Sequence, residues 1–191
     1  DATTFEFWGT LLNGGALVLS PGKSFLDTYV LKEELYQKKV TKMFFTTSWF
    51  NHLVDTDITV FKHLSAVLTG GEKLSEQRAV KFRKTYPHIQ LSNIYGPTEN
   101  TTFSLSYLIS SDQYTGRTPI GTPLNNRKAY ILDTRLQLVP VGVPGELYVG
   151  GAGVVRVHAD PAGAAPERLR GRSDHDGPLR ARPRAAAALH R

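Results

Sequence analysis

The 191-residue sequence contains no cysteine. That excludes disulfides, thiolate metal sites and a cysteine nucleophile, and it fits a cytoplasmic protein. There is no apolar run near the ~20 residues a membrane helix needs. No charged-then-apolar leader opens the chain, which begins at Asp1 without methionine, as a fragment would. The histidines (His52, His63, His88, His158, His175 and His190) are scattered, with neither metal-ligand spacing nor a Ser-His-Asp arrangement among them. Acidic residues are in deficit, giving a formal net charge of +6, but the excess is uneven. Eight Arg and four acids leave residues 156–191 at +4, whereas ten Lys and five Arg against thirteen acids leave the rest at only +2. The basic tail mixes in acids and has no interleaved aromatics, so no nucleic-acid or membrane partner is expected.

Enough apolar material remains for one domain. Hydrophobic residues make up 40% of the chain, including nine Phe and eight Tyr. Thr3 or Thr4 can cap a helix from near Phe5, with Phe5, Trp8, Leu11 and Leu12 at helical spacing and Gly14-Gly15 ending it. Ala16–Leu19, bounded by Ser20-Pro21-Gly22, reads as a buried strand. Asp27 can cap a helix to about Lys38 with Val30, Leu31 and Leu35 inward. Lys42–Thr46 reads as a strand, and Trp49, Phe50, Leu53 and Val54 as a helical stripe. Ala66–Thr69 is a strand ending at Gly70-Gly71, and Ser75 caps a helix through about Tyr86. Ile89–Ser92 is the next strand. This alternation predicts parallel βαβ units over residues 1–102. Residues 103–156 read as β-rich, with short strands at Phe103–Leu108, Lys128–Leu132, Leu136–Val139 and Glu146–Val149. Gly150–Gly153 is not a phosphate-loop pattern and reads as a turn. Residues 157–191, rich in Ala, Arg and Pro, read as a disordered or frame-shifted tail.

The chemistry gathers at Asn93-Ile94-Tyr95-Gly96-Pro97-Thr98-Glu99-Asn100-Thr101-Thr102. Gly96-Pro97 ends the strand, and a strand end followed by a polar loop is where open α/β sheets hold ligands. The residue types suit a nucleotide. Asn93 offers an amide to a base edge, Tyr95 a stacking face, Thr98 a hydroxyl to phosphate and Glu99 a hard oxygen for Mg²⁺.

This stretch resembles the signature loop of adenylate-forming enzymes, and more narrowly of nonribosomal peptide synthetase adenylation domains. Three further stretches agree in order and spacing: DATTFEFWGTLLNGGALVL, VLTGGEKLS and PIGTPLNNRKAYILDTRLQLVPVGVPGELYVGGAGVVR. The resemblance covers about residues 1–156 and implies part of the large N-terminal subdomain of the α/β adenylate-forming fold. It implies ATP or AMP and Mg²⁺ as cofactors and an amino acid as substrate. It also implies condensation and carrier domains as partners, the carrier bearing phosphopantetheine. By position, Tyr95 resembles the adenine-stacking residue, Asn93 the partner of the adenine amino group and Gly71 a glycine lying against the base. Thr98 and Glu99 resemble the catalytic pair, contacting the α-phosphate and Mg²⁺. Asp1 resembles the partner of the substrate ammonium. The other pocket positions are Ala2, Phe5, Phe44, Leu68, Gly70, Ile94, Thr102 and Phe103. Such an apolar lining suits an aliphatic side chain, and the set resembles those of isoleucine- or valine-activating domains.

The family's phosphate loop would precede Asp1, and its ribose-binding acid and catalytic lysine would follow the tail's start. None lies within these 191 residues, so the chain alone is expected to be inactive. Two other readings stand beside the ligase segment: a non-catalytic nucleotide-binding module, and an interaction protein led by the basic tail.

Overall fold

Five strands form one sheet in the order β1-β2-β3-β4-β5: β1 Lys42–Thr46, β2 Ala66–Gly70, β3 Gln90–Tyr95, β4 Leu105–Ile109 and β5 Thr122–Pro123. β1, β2 and β3 are parallel, in the register Phe44–Leu68–Ser92 and Thr46–Gly70–Ile94. β4 returns antiparallel to β3, and β5 antiparallel to β4. The structure, a computed structural model, describes residues 2–22, 25, 27–110, 118–154 and 179–180. The helices are α1 Ala2–Leu11, α2 Thr28–Gln37, α3 Thr47–Thr56 and α4 Glu76–Thr85.

Strand alternation divides the sheet into two unlike faces. Phe45, Val67 and Leu91 join a core with Leu31 and Leu35 of α2, Phe50 and Leu53 of α3, and Ala79 and Phe82 of α4. At its centre Phe50, Phe61 and Phe82 lie with ring centroids 5.1–5.5 Å apart, tilted or edge-on. Each such buried ring stabilises by about 1.5–3 kcal/mol. The alternate positions Phe44, Leu68 and Ile94 face the other way, toward α1.

Caps explain several boundaries. The Asp27 carboxylate accepts from the N–H groups of Tyr29 and Val30 at 2.9 and 3.2 Å and starts α2. Thr46, the last residue of β1, accepts from Trp49 N–H and starts α3 without an intervening loop. Ser75 occupies the N-cap position of α4 but makes no capping side-chain bond.

Four local expectations are corrected. α1 starts at Ala2, so Thr3 and Thr4 lie inside its first turn, and Trp8, Leu11 and Leu12 are exposed. Ala16–Leu19 is not a strand; it has no ladder partner among the described residues, and Val18 and Leu19 are exposed. Val30 is exposed, while Leu31 and Leu35 are buried as expected. Leu136–Val139 makes a single bridge, Leu132 to Leu138. Here the Asp133 carboxylate accepts from Arg135 and Gln137 N–H at 2.8 and 2.9 Å, and a local side-chain turn displaces a ladder.

A second sheet pairs β6 Arg127–Leu132 antiparallel with β7 Glu146–Gly151. Gly150 and Gly151 complete β7, and the turn follows at Ala152–Gly153. Of the tail, only Leu179–Arg180 are described; they form a short strand, β8, against Tyr148–Val149. The rest of the tail reading lies outside the described residues. Leu147 and Val149 of β7 join Leu105 of β4 in a small core against which Tyr95 packs.

Candidate nucleotide and amino-acid site

The carboxyl ends of β1, β2 and β3 lie side by side at Thr46, Gly70 and Ile94–Tyr95. Beyond them run Gly70-Gly71 on one side and Gly96–Phe103 on the other. Gly70 has to be glycine: a Cβ there would strike the Ile94 carbonyl of the neighbouring strand. Gly71 turns the chain away with φ +99°, a conformation that favours glycine. It is exposed, and nothing lies within 4 Å of where its Cβ would stand.

Three expected pocket residues from distant parts of the chain come together. The Phe103 ring lies 5.1 Å from that of Phe5 on α1 and 5.5 Å from that of Phe44 on β1. Leu68 is the cross-strand neighbour of Phe44, and Ile94 that of Gly70. Ala2 lies in the first turn of α1, and Thr102 is buried beside Phe103. Asp1 lies outside the described residues.

Of the residues expected to meet a nucleotide, Asn93 is buried and its Nδ2 donates to the Pro119 carbonyl at 2.8 Å. Tyr95 is half-buried, and desolvation pushes its phenol pKa up, so the ring is uncharged near neutral pH. The loop then makes a short 3-10 turn, Thr98–Asn100, on which Thr98 and Glu99 are exposed. Among the described residues no cluster of three or more His, Asp or Glu could by itself hold a metal. An exposed single carboxylate fits Mg²⁺ in its usual manner, with one or two carboxylates, several waters and substrate phosphates.

Sequence reasoning placed Thr102 and Phe103 in the pocket but gave no structural role to Asn100, Thr101 or Arg127 behind this loop. Thr101 and Thr102 are consecutive β-branched residues with φ +49° and +64°. Each such conformation costs about 1–3 kcal/mol and persists only where its surroundings enforce it. Asn100 is fully buried; its Nδ2 donates to Ser104 Oγ at 2.8 Å and lies 3.5 Å from the Gly150 carbonyl. Thr101 Oγ1 donates to the Gly153 carbonyl at 2.6 Å. Arg127 donates through Nε to the Phe103 carbonyl and through a terminal nitrogen to the Thr101 carbonyl, both at 3.3 Å. Gly96 lets the loop close on itself, since a Cβ there would lie 2.7 Å from Phe103 Cα, Ser104 N and Thr102 O. Asn100 and Thr101 in a polar run look solvated in sequence, and nothing local links Thr101 and Phe103 to an arginine 26 and 24 residues away.

The geometry agrees with comparison to known proteins. The AMP-binding enzyme family matches residues 1–157. The chain is 44% identical over 156 residues to surfactin synthase subunit 2 of Bacillus subtilis (strain 168), covering 82% of this chain and 4% of that protein. The structure of PA1221, an NRPS protein containing adenylation and PCP domains, superposes with a TM-score of 0.72 at 36% identity, over 80% of this chain and 31% of that one. The Klebsiella oxytoca NpsA N-terminal subdomain, in complex with 3-hydroxyanthranilyl-AMSN, gives a TM-score of 0.67 at 27% identity, over 82% of this chain and 39% of that one. This chain thus spans a small part of each relative's length. It belongs to the family of AMP-binding enzymes, with its likeness lying among the adenylation domains of nonribosomal peptide synthetases.

Proposed function

We propose that the chain supplies one side of a site in which an amino-acid carboxylate attacks the α-phosphate of ATP, giving aminoacyl-adenylate and pyrophosphate. The observation that carries this is the convergence of the Phe5–Phe44–Phe103 cluster and the Tyr95–Glu99 loop at the carboxyl ends of parallel strands. Tyr95 stacks on adenine, Gly71 gives the base close approach, and Asn93 offers its remaining amide hydrogen-bonding capacity to the base edge. Thr98 donates to the α-phosphate, and Glu99 holds Mg²⁺. When bound, the ion neutralises phosphate charge where two anions meet.

Asp1 pairs with the substrate ammonium. Ala2, Phe5, Phe44, Leu68, Gly70, Ile94, Thr102 and Phe103 enclose the side chain. A wall of rings and aliphatic groups favours isoleucine or valine, and a polar side chain would lose its hydrogen bonds there. One methylene changes binding by only about 1–3 kcal/mol, so neighbouring aliphatics are discriminated weakly.

The NpsA subdomain is similar in fold and is seen with 3-hydroxyanthranilyl-AMSN, which supports a ligand site in this part of the fold. PA1221 contains adenylation and PCP domains, which supports a carrier domain, bearing phosphopantetheine, as the acceptor of the activated amino acid. A condensation domain would then use it. The proposed site of action is the cytoplasm; among the described residues no helix is long and apolar enough to cross a membrane. Pyrophosphate exchange by a complete adenylation domain carrying this segment tests the reading. Exchange stimulated by isoleucine or valine is expected, and exchange indifferent to any amino acid would overturn it.

A further inference from the structure

We propose that Arg127 is a positioning residue for amino-acid selection, acting through the backbone of Thr101–Phe103. The inference rests on the adenylation reading above and extends it to a residue outside the pocket. Arg127 opens β6, where it pairs with Gly151 of β7. Two glycines make room for it. A Cβ at Gly151 would lie 2.9 Å from Arg127 Cα, and a Cβ at Gly153 would collide with the guanidinium. The guanidinium therefore lies against the turn after β7, with Nε directed at the Phe103 carbonyl and a terminal nitrogen at the Thr101 carbonyl, each at 3.3 Å.

Those carbonyls bracket the strained pair Thr101–Thr102, with φ +49° and +64°. Phe103 N–H closes a tight turn onto the Thr101 carbonyl at 2.9 Å, so that oxygen accepts from both sides. The turn aims the Phe103 ring between Phe5 and Phe44. A planar fork can hold two carbonyls in fixed relation, whereas a lysine ammonium is a point charge on a flexible stem. β6 and β7 thus form a rigid base that carries no pocket side chain of its own and yet fixes one pocket wall. Without Arg127 the strained backbone relaxes, the Phe103 ring moves, and the aliphatic pocket loses its shape. The nucleotide contacts, on β3 and the Thr98–Asn100 turn, stay in place.

The test uses a complete adenylation domain carrying this segment, assayed by pyrophosphate exchange. Arg127→Ala is expected to raise the KM for the preferred amino acid about tenfold, the size of one charge-assisted hydrogen bond, with the KM for ATP changed less than about twofold. Preference among isoleucine, valine and leucine should flatten. Arg127→Lys, which keeps the charge and most of the stem, should remain impaired, and free guanidinium should partly rescue Arg127→Ala. In a Phe103→Ala background the effect of Arg127→Ala on preference should largely vanish, because the two act in series. Parallel rises in both KM values, or full rescue by Lys, would overturn the proposal by pointing to a general structural role. An active wild type with an unchanged Arg127→Ala profile would overturn it while leaving the adenylation reading intact. A wild type without amino-acid-dependent exchange would overturn both.

Discussion

A single carboxylate and a single hydrogen atom illustrate how unequal side chains can be at this site. Glu99 is exposed on its turn and far from the aromatic cluster in role, so Glu99→Gln in a complete domain should slow adenylation while leaving the KM for the amino acid nearly unchanged. Single-turnover rates and equilibrium amino-acid binding measure the two quantities; equal losses in both would refute the assignment. Gly70 contributes no functional group, yet a Cβ there meets the Ile94 carbonyl in the adjacent strand. Backbone in the centre of a parallel sheet cannot step aside, so Gly70→Ala should destabilise the chain by about 1–3 kcal/mol, measurable by urea unfolding. Phe5 differs again: it is half-buried, and its ring meets Phe103. Phe5→Trp should shrink the pocket and disfavour branched aliphatic substrates, and an unchanged preference would make Phe5 ordinary packing.

At the scale of elements, the parallel strands and the helices between them were legible because each carries a local signal. Phe45, Phe50, Val67 and Leu91 follow strand or helix periods, and Asp27 stands where a cap belongs, whereas Thr46 read only as a strand residue and caps α3 as well. Ala16–Leu19 failed because a short apolar run does not say whether a partner strand exists. Leu136–Val139 failed because the Asp133 carboxylate captured the neighbouring N–H groups. The candidate site was legible as a loop and a set of positions through family resemblance, but its buttress was not. Arg127 reaches Thr101 and Phe103 only through the pairing of β6 with β7, and pairing between distant strands leaves no mark at either end. A second long-range tie has a pH signature. Asp57 caps the 3-10 turn Ile58–Phe61 and pairs with Lys32 of α2 at 3.2 Å. The Thr59 hydroxyl and then Lys32 hold its carboxyl pKa below the usual 3.8. A lowered folded-state pKa means that the stabilisation is complete above the unfolded value and is lost as pH falls through the folded one. The pair is partly exposed and screened, so the contribution stays below about 1 kcal/mol. The stability gap between wild type and Asp57→Asn should therefore be flat from neutral pH to about 5 and close below about 4. A gap that closed near neutral pH would contradict this.

The whole molecule carries the candidate site beside incompletely covered apolar surface. Trp8, Leu11, Leu12 and Leu19 are among the exposed large side chains, and α1 buries no residue fully. Isolated chains should associate or bind apolar dyes through this face. On the proposed reading, incompleteness also limits activity. On that reading, Asn93, Tyr95, Thr98 and Glu99 form one wall of a nucleotide site, and the phosphate loop for the β- and γ-phosphates, the ribose-binding acid and the catalytic lysine that the resemblance implies are not supplied by these 191 residues. Each charge-assisted hydrogen bond so forgone weakens binding by roughly 1.5–3 kcal/mol. Two or three such losses move a micromolar site to millimolar or weaker, at about 1.4 kcal/mol per tenfold. Groups that act as a unit also lose most of the rate together. The purified 191-residue chain should accordingly show no amino-acid-dependent pyrophosphate exchange with isoleucine, valine or leucine above a Glu99→Ala control. Exchange well above that control would mean that the wall formed by β1–β3 and the Tyr95–Glu99 loop suffices for the chemistry. The roles assigned by resemblance to the residues beyond it would then have to be given up.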